Sequence, residues 1–198
     1  MYLNFKIKNL IVVLAVFVVF SLLPVRNSPP EADADLVRRA ADGDEQAQHS
    51  LGLVRDEGAE RDPQKALEWY LRAAERGHGA ASVHLADMYL SGDGAPRDFD
   101  KAFHFYSLAA SRGDARGEQG LAEMYGRGLG VPLDYGQSFR WREKAAARGL
   151  PRAQYGLALA CLNGLGVARD PETARVWLER AASGGLEEAR RDLAEGRF

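Results

Sequence analysis

The sequence of 198 residues has little of several features that define other classes of protein. Its single cysteine, Cys161, excludes an intramolecular disulfide framework and a cysteine-rich zinc site. The formal net charge is only −2, which disfavours a broadly basic protein, so we expect no nucleic-acid partner. The eight prolines avoid the segments with helical patterns. No stretch alternates polar and apolar residues as a half-buried strand does, which favours an all-α fold.

Charge is also lacking from one long apolar run near the N-terminus. Residues 9–25 contain no charged side chain, with Lys6 and Lys8 before the run and Arg26 after it. At about 1.5 Å per residue, such a helix is just long enough to cross a bilayer. The run ends without a small-residue cleavage motif, so we expect residues 1–25 to be an uncleaved signal anchor.

This anchor predicts the location of the rest of the chain. The basic residues before the run favour an N-terminus in the cytoplasm and a body outside it. In a Gram-negative bacterium, this topology predicts a single-pass inner-membrane protein with its C-terminal domain in the periplasm. A cleaved signal peptide would instead give a periplasmic or secreted protein, and a buried core helix is the third interpretation of residues 9–25. Residues 26–33 are predicted to form a polar linker.

The body of the chain is built from an internal repeat. The motifs AAERG, AASRG, AAARG and AASGG end at Gly77, Gly113, Gly149 and Gly185, 36 residues apart. A shorter first copy gives a period of 34 residues, because its turn lacks two residues. Such periods are typical of helical repeat proteins. The sequence therefore predicts an N-terminal capping helix, four repeats and a C-terminal capping helix at residues 34–42, 43–76, 77–112, 113–148, 149–184 and 185–198.

Each repeat has the pattern of a helical hairpin, with a helix A, a glycine-rich turn and a helix B. In the third repeat, Asp114 is placed to cap helix A and Asp134 to cap helix B. Leu121 and Tyr125 lie on one face of helix A, while Trp141 lies on helix B. Glycines in the turn permit the left-handed conformation in which helices end. We therefore expect an all-α, right-handed solenoid with terminal helices that cover its two ends.

These residues resemble the Sel-one-like repeat (SLR), a relative of the tetratricopeptide repeat. The third copy carries these residues of the pattern: Leu121, Tyr125, Gly128, Gly130, Val131, Asp134, Trp141, Ala145, Ala146 and Gly149. The resemblance implies a bacterial envelope protein that acts as an adaptor and holds other proteins. Arg55 and Cys161 depart from the pattern at the position of Tyr125, which affects the packing of those copies rather than the fold.

Other candidate sites are better explained as parts of the repeat. The glycine-rich turns follow helices rather than strands, so they are not phosphate-binding loops. The four histidines form no metal-binding motif, and we interpret them as surface residues. Cys161 is expected to be a buried thiol. The aromatic residues that recur with the repeat are expected to pack in the core: Trp69, Phe105, Trp141 and Trp177.

We expect function to lie where the repeats differ, on the helix-A face that lines the concave side of tetratricopeptide-like proteins. The first candidates for binding a partner are His84, Asp87, Glu118, Glu123, Gln48 and Gln154. Three of these are acidic, so the expected ligand is a protein or peptide of basic or mixed charge. No cofactor or metal is expected. A cell-wall enzyme is the alternative from another class, but His84, Asp87 and Glu123 offer acid–base groups without a supporting motif.

Overall fold

The helices follow the repeats that the sequence predicts. The computed structural model describes residues 31–58 and 61–197, with side chains from Ala34 onward. Within these residues the chain forms ten α-helices and no strand. The helices are α1 (Glu31–Ala41), α2 (Glu45–Glu57), α3 (Pro63–Glu75), α4 (Gly79–Ser91), α5 (Phe99–Ser111), α6 (Ala115–Arg127), α7 (Tyr135–Ala147), α8 (Pro151–Asn163), α9 (Pro171–Ser183) and α10 (Glu187–Ala194).

Helices α2 to α9 form four hairpins, each an A helix followed by a B helix. From α2 onward, each helix packs against the next one along the chain. The A helices also contact one another, α2 with α4 and α4 with α6, which places them on the inner side of the stack. The described residues from Leu36 onward belong to one compact unit. The predicted all-α solenoid is confirmed, while its right-handed sense stays a prediction.

Aspartates begin the B helices, as the sequence predicts. The Asp134 side chain accepts a hydrogen bond from the backbone N–H of Gln137. The equivalent caps of the other three B helices are Asp62, Asp98 and Asp170. Asp114 caps the A helix α6 in the same way, by accepting from the Arg116 N–H. Each cap satisfies a first-turn N–H group that has no partner within its helix.

The turn between helix A and helix B is fixed by a backbone hydrogen bond. The Asp170 N–H donates to the carbonyl of Cys161, nine residues earlier, over 2.9 Å. In the shorter first repeat, Asp62 donates to Arg55 over 2.7 Å, so the loss of two residues is absorbed inside the turn. The bond uses only backbone atoms. The departures from tyrosine at Arg55 and Cys161 therefore leave the turn intact.

Small side chains let neighbouring helices approach closely. Alanines without exposed surface recur on the B helices, among them Ala66, Ala102 and Ala174. Between the helices lie a few large side chains that are fully buried: Tyr70, Leu85, Leu121, Met124, Leu157 and Leu178. Burial of this apolar surface is the main favourable contribution to folding. The buried clusters extend from one repeat to the next, so each repeat is stabilised by its neighbours.

The recurring aromatic residues pack against the buried clusters, but the more buried column lies one residue further along each B helix. Trp141 and its equivalents in the other repeats are only half-buried. The next position holds the side chains that are buried, Tyr70, Tyr106 and Leu178. The Trp141 ring is partly covered by Lys144, whose Nζ lies 3.7 Å from the ring centroid. Adjacent helix positions point about 100° apart, so these two repeating columns do not face the core equally.

The terminal helices differ in how well the sequence predicted them. Helix α1 begins at Glu31, inside the predicted linker at residues 26–33, so the capping helix starts earlier than expected. Helix α10 packs Ala189 and Leu193 against the last repeat, as expected. Across the part of the chain that the structure describes, no helix combines the length and apolar character needed to span a bilayer. The predicted anchor at residues 1–25 lies outside the described residues.

Candidate functional site

The inner side of the stack forms a groove that we call the inner groove. It is lined by one face of the A helices α2, α4, α6 and α8. Two sets of A-helix residues at equivalent repeat positions define it: Ser50, His84, Gly120 and Gly156, together with Leu53, Asp87, Glu123 and Leu159.

Each B helix contributes one side chain behind this face. Tyr106 lies against Gly120, where a Cβ atom would come within 2.4 Å of the tyrosine ring. Arg142 occupies the equivalent position one repeat later and lies against Gly156, where a Cβ atom would be 2.8 Å from its Nε. Tyr70 occupies the position in repeat 1. The framework is therefore constant while the chemistry of the groove changes between repeats.

Asp87 and Glu123 are the predicted acidic residues that line the inner groove. The Asp87 carboxylate accepts a hydrogen bond from the Tyr106 hydroxyl. The Glu123 carboxylate accepts one from Gln119 Nε2 over 3.0 Å. Burial raises the pKa of Asp87, although the Tyr106 hydrogen bond opposes this shift. Burial and the Asp87 charge also raise the pKa of Tyr106, which therefore remains a hydrogen-bond donor.

Three other predicted binding residues are buried between helices instead of lining the groove. Gln48 and Glu118 are each 3% exposed, and Gln154 is also buried. Gln48 Nε2 donates to the Ala40 carbonyl over 2.9 Å. Glu118 pairs with Arg148, with 3.1 Å between Oε2 and Nε. The expectation that these side chains lie open on the concave face is corrected, because their position on helix A points toward neighbouring B helices.

The structure brings together three histidines that are distant in sequence, at the interface between repeats 1 and 2. The His49 ring stacks on His78 with 4.4 Å between centroids and lies 5.4 Å from the His84 ring. The His84 ring stacks on Tyr70 at 4.8 Å. His49 is only 8% exposed and His84 is half-buried, which corrects their interpretation as surface residues.

This histidine cluster favours the neutral form of His49. Both of its ring nitrogens are buried and form no hydrogen bond with the residues that the structure describes. Burial lowers the pKa of His49 to about 4, and the charges of His78, His84 and Arg116 act in the same direction. Burial also lowers the pKa of His84. Among the described residues, no group of histidine, cysteine or acidic side chains is arranged to hold a metal ion.

A polar cleft of about 230 Å³ opens in the inner groove between repeats 3 and 4. Its lining includes Gln119, Glu123, Arg142, Arg152, Tyr155 and Glu188. Burial lowers the pKa of Arg142, while the charge of Glu123 acts in the opposite direction. Of these residues only Glu123 was a predicted binding residue. Arg142 stands at the position that holds tyrosine in the first two repeats, which the repeat pattern indicates only as a departure in packing.

A larger cleft of about 720 Å³ lies between the B helices α5 and α7. Ser107 and Ser111 form one wall and Trp141 and Lys144 the other, and Glu118 also contributes to the lining. The small side chains on α5 leave part of the Trp141 ring open to solvent. This cleft makes the B-helix side an alternative surface for a partner.

The fold and the groove together define a helical-repeat protein with a constant framework and a variable inner face. The family model described as the Sel1 repeat matches four times, at residues 45–78, 79–114, 115–150 and 151–186. The chain therefore belongs to the Sel1 repeat family, and the resemblance to Sel-one-like repeats is confirmed. Proteins of this family are generally protein-interaction scaffolds without enzymatic activity. Among curated proteins, none matches this chain.

Several solved structures are similar to this chain. The protein c5321, a protective antigen of uropathogenic Escherichia coli with an SLR fold, is 34% identical with a TM-score of 0.77, covering 81% of this chain and 35% of its own. A Sel1 repeat protein from Oxalobacter formigenes is 28% identical with a TM-score of 0.77. The match covers 80% of this chain and 64% of that protein. This chain thus spans about a third of the first protein and just under two thirds of the second. The immunity protein PA5088 from Pseudomonas aeruginosa, 24% identical with a TM-score of 0.58 over 86% of this chain and 64% of its own, shows the fold alone.

Proposed function

We propose that this chain is a non-enzymatic adaptor of the bacterial cell envelope that binds a protein or peptide in its inner groove. The observation that carries this proposal is the contrast between a repeated framework and groove residues that change with each repeat. Repeat 2 presents His84 and Asp87, whereas repeat 3 presents Gly120 and Glu123. Stacked repeats offer an extended surface of this kind to partners.

The two groove acids support a ligand of basic or mixed charge. Asp87 and Glu123 are held in place by internal hydrogen bonds, so little side-chain freedom is lost when a ligand pairs with them. Binding should weaken as salt is added, because exposed charges are screened. A cell-wall enzyme is the weaker alternative, since Asp87 is bonded to Tyr106 and His84 is stacked on Tyr70 instead of a second acid–base group.

Photocrosslinking would test where the partner binds. A photoreactive amino acid at Leu159, which is exposed in the inner groove, should crosslink the partner in cells. The same amino acid at Val176, which is exposed on the B helix α9, is the matched control and should not. A third position, Ser107, probes the cleft between α5 and α7. Crosslinking from Val176 or Ser107 without any from Leu159 would place the partner on the B-helix side and refute the proposal.

Removal of the groove charges would test the ligand class. Asp87→Asn combined with Glu123→Gln keeps the size of both side chains and should lower partner affinity by about tenfold or more, as expected for two interface residues worth about 1–2 kcal/mol each. Glu143→Gln combined with Glu172→Gln removes the same charge from exposed B-helix positions and should have no effect. Unchanged affinity in the groove variant would contradict a basic or mixed-charge ligand.

We further propose that residues 1–25 anchor the protein in the inner membrane with the repeats in the periplasm. The uncharged run and the lysines before it support this topology. A reporter that is active only outside the cytoplasm should work when fused after Phe198. A mature N-terminus at Leu22 or beyond would show that the segment is cleaved and would favour a periplasmic or secreted protein.

A further inference from the structure

Arg142 is the exception in the set of B-helix residues behind the inner groove. Its equivalents are Tyr70, Tyr106 and Leu178, all of which are buried. Arg142 lies against Gly156, as Tyr106 lies against Gly120. An arginine at this position places a permanently charged guanidinium where the other repeats have a ring or an aliphatic side chain.

This guanidinium forms no direct ion pair with the described residues, and the nearby charge of Glu123 only partly offsets its burial. The Nε of Arg142 is buried without a hydrogen bond, and within the described residues its side chain forms no ion pair. Arg152, which is exposed in the same cleft, also forms no ion pair with the described part of the chain. By contrast, the neighbouring Arg116 and Arg148 are each paired with an acid. A half-buried cation without an acceptor is costly unless an anion binds it.

The cleft also contains an unused acceptor. Gln119 is 9% exposed and its Nε2 donates to Glu123, whereas its Oε1 is buried and accepts from no donor among the described residues. Among the described residues, the site thus supplies neither a carboxylate paired directly with Arg142 nor an N–H group for Gln119 Oε1. A peptide carboxylate with its adjacent backbone N–H would supply both. Phosphate has no N–H group, and Glu123 and Glu188 would repel its larger negative charge more strongly than the single charge of a carboxylate.

The size of the cleft indicates which part of a peptide fits. Its volume of about 230 Å³ is below the range of about 300–1,000 Å³ that is usual for pockets that hold a whole small molecule. We infer that the cleft between repeats 3 and 4 binds the C-terminal carboxylate of a peptide partner, with Arg142 as its principal anchor. This inference rests on the proposed function, since it concerns the ligand of the same groove.

An NMR titration of the full chain in detergent micelles would test this site. The probe is N-acetyl-triglycine, which has a free terminal carboxylate, and the arginine Nε–H signals are followed at constant ionic strength. The Arg142 signal should shift in a saturable manner with this probe and stay in place with its C-terminal amide. A side-chain carboxylate, supplied as N-acetyl-glutamate amide, and inorganic phosphate should each bind more weakly. Tighter binding of either, or an equal response to the amide, would overturn the inference.

Variants at Arg142 provide the structural control. Arg142→Tyr restores the residue found in repeats 1 and 2 and should fold, yet lose at least about tenfold in affinity for the probe. Arg142→Lys keeps the charge without the planar fork and should also bind less tightly. Arg140→Gln removes a charge from an exposed position of the same helix and should have no effect. Binding retained by a folded Arg142→Tyr or by Arg142→Lys would overturn the inference.

The two proposals can fail separately. If Arg142→Tyr loses the tripeptide but its Leu159 crosslink to the natural partner is undiminished, the groove still binds a partner and only the inferred anchor is wrong. If Arg142→Tyr loses both, the inference is supported. If wild type shows no Leu159 crosslink at all, the proposed function itself fails.

Discussion

Tyr106 and Trp141 are aromatic residues of the B helices that differ in their surroundings. Tyr106 is 4% exposed and donates to Asp87, whereas Trp141 is half-buried beside Lys144. We expect Tyr106→Ala to lower the free energy of unfolding by about 3–5 kcal/mol, because it creates a cavity and leaves Asp87 without its donor. Trp141→Ala should cost about half as much. Urea denaturation of both variants checks this order, and equal losses would contradict the assigned burial.

His49 makes stability dependent on pH. Its pKa is lowered to about 4 in the folded chain, so below its ordinary value of 6.5 the unfolded chain binds a proton that the folded chain does not. Stability should therefore fall as pH drops from about 6.5 to about 4, by up to about 1.4 kcal/mol per pH unit. The lowered pKa of His84 also makes stability fall as pH decreases. The raised pKa of Asp87 opposes this fall, but only at the most acidic part of the pH range.

A valine variant isolates this effect. Val83 occupies the position of His49 in the next repeat and is buried there, so His49→Val is compatible with the framework. Denaturation at about pH 7 and about pH 5 should show a smaller loss of stability in His49→Val than in wild type, by about 1–2 kcal/mol. An identical pH dependence in the two proteins would show that His49 is not kept neutral by the fold.

The sequence could identify some of these residues and not others. Asp87 and Glu123 differ from their equivalents on a face whose direction follows from the hairpin, so their place in the groove was predictable. The histidine cluster depends on contacts between different repeats, which join residues about 30 positions apart and leave no local pattern. Gln48 is buried against the preceding helix α1, where it donates to Ala40. The burial of these side chains depends on how the helices pack and cannot be read from one helix alone.

At the scale of helices, the aspartate caps mark where each B helix begins. Asp134 accepts from the Gln137 N–H over 2.9 Å. Asp134→Ala should cost about 1 kcal/mol, since it leaves that N–H without its partner, while Asp134→Asn should cost much less because asparagine also caps. Thermal unfolding of both variants tests this expectation. A loss of the same size in Asp134→Asn would mean that the charge, and not the hydrogen bond, matters.

The boundaries of the helices were predictable because each has a local chemical cause. Asp134 and Gly128 lie beside the ends that they determine, so their effect can be read from neighbouring residues. The direction of the B helices was harder to predict. Trp141 and the residue after it both recur with the period of the repeat, and periodicity alone does not distinguish the more buried column from the less buried one.

At the scale of the molecule, stability depends on contacts between neighbouring repeats. Cys161 is 2% exposed, which confirms the expected buried thiol, and burial raises its pKa. It belongs to a cluster that α10 closes with Ala189. Ala189→Asp would bury an unpaired carboxylate there, so a thiol reagent should label Cys161 at least about tenfold faster, as expected for local opening made easier by more than about 1.4 kcal/mol.

The matched control for this prediction is Arg191→Asp, which places the same charge on an exposed position of α10. Its labelling rate should stay close to that of wild type. Slow labelling of Cys161 in Ala189→Asp would mean that the last repeat is stable without its terminal helix. That result would contradict the dependence of each repeat on its neighbour.

The position held by Tyr70, Tyr106, Arg142 and Leu178 has a consequence for how new specificities can arise. The aspartate that caps each B helix and the backbone hydrogen bonds of the turns recur from copy to copy, so the gene segment for one repeat can be duplicated without disturbing its neighbours. A second copy of residues 113–148 would lengthen the groove by one unit and add one more arginine behind it. Recombination of whole repeats can therefore change the ligand preference of this chain, because each repeat brings one such side chain to the inner groove.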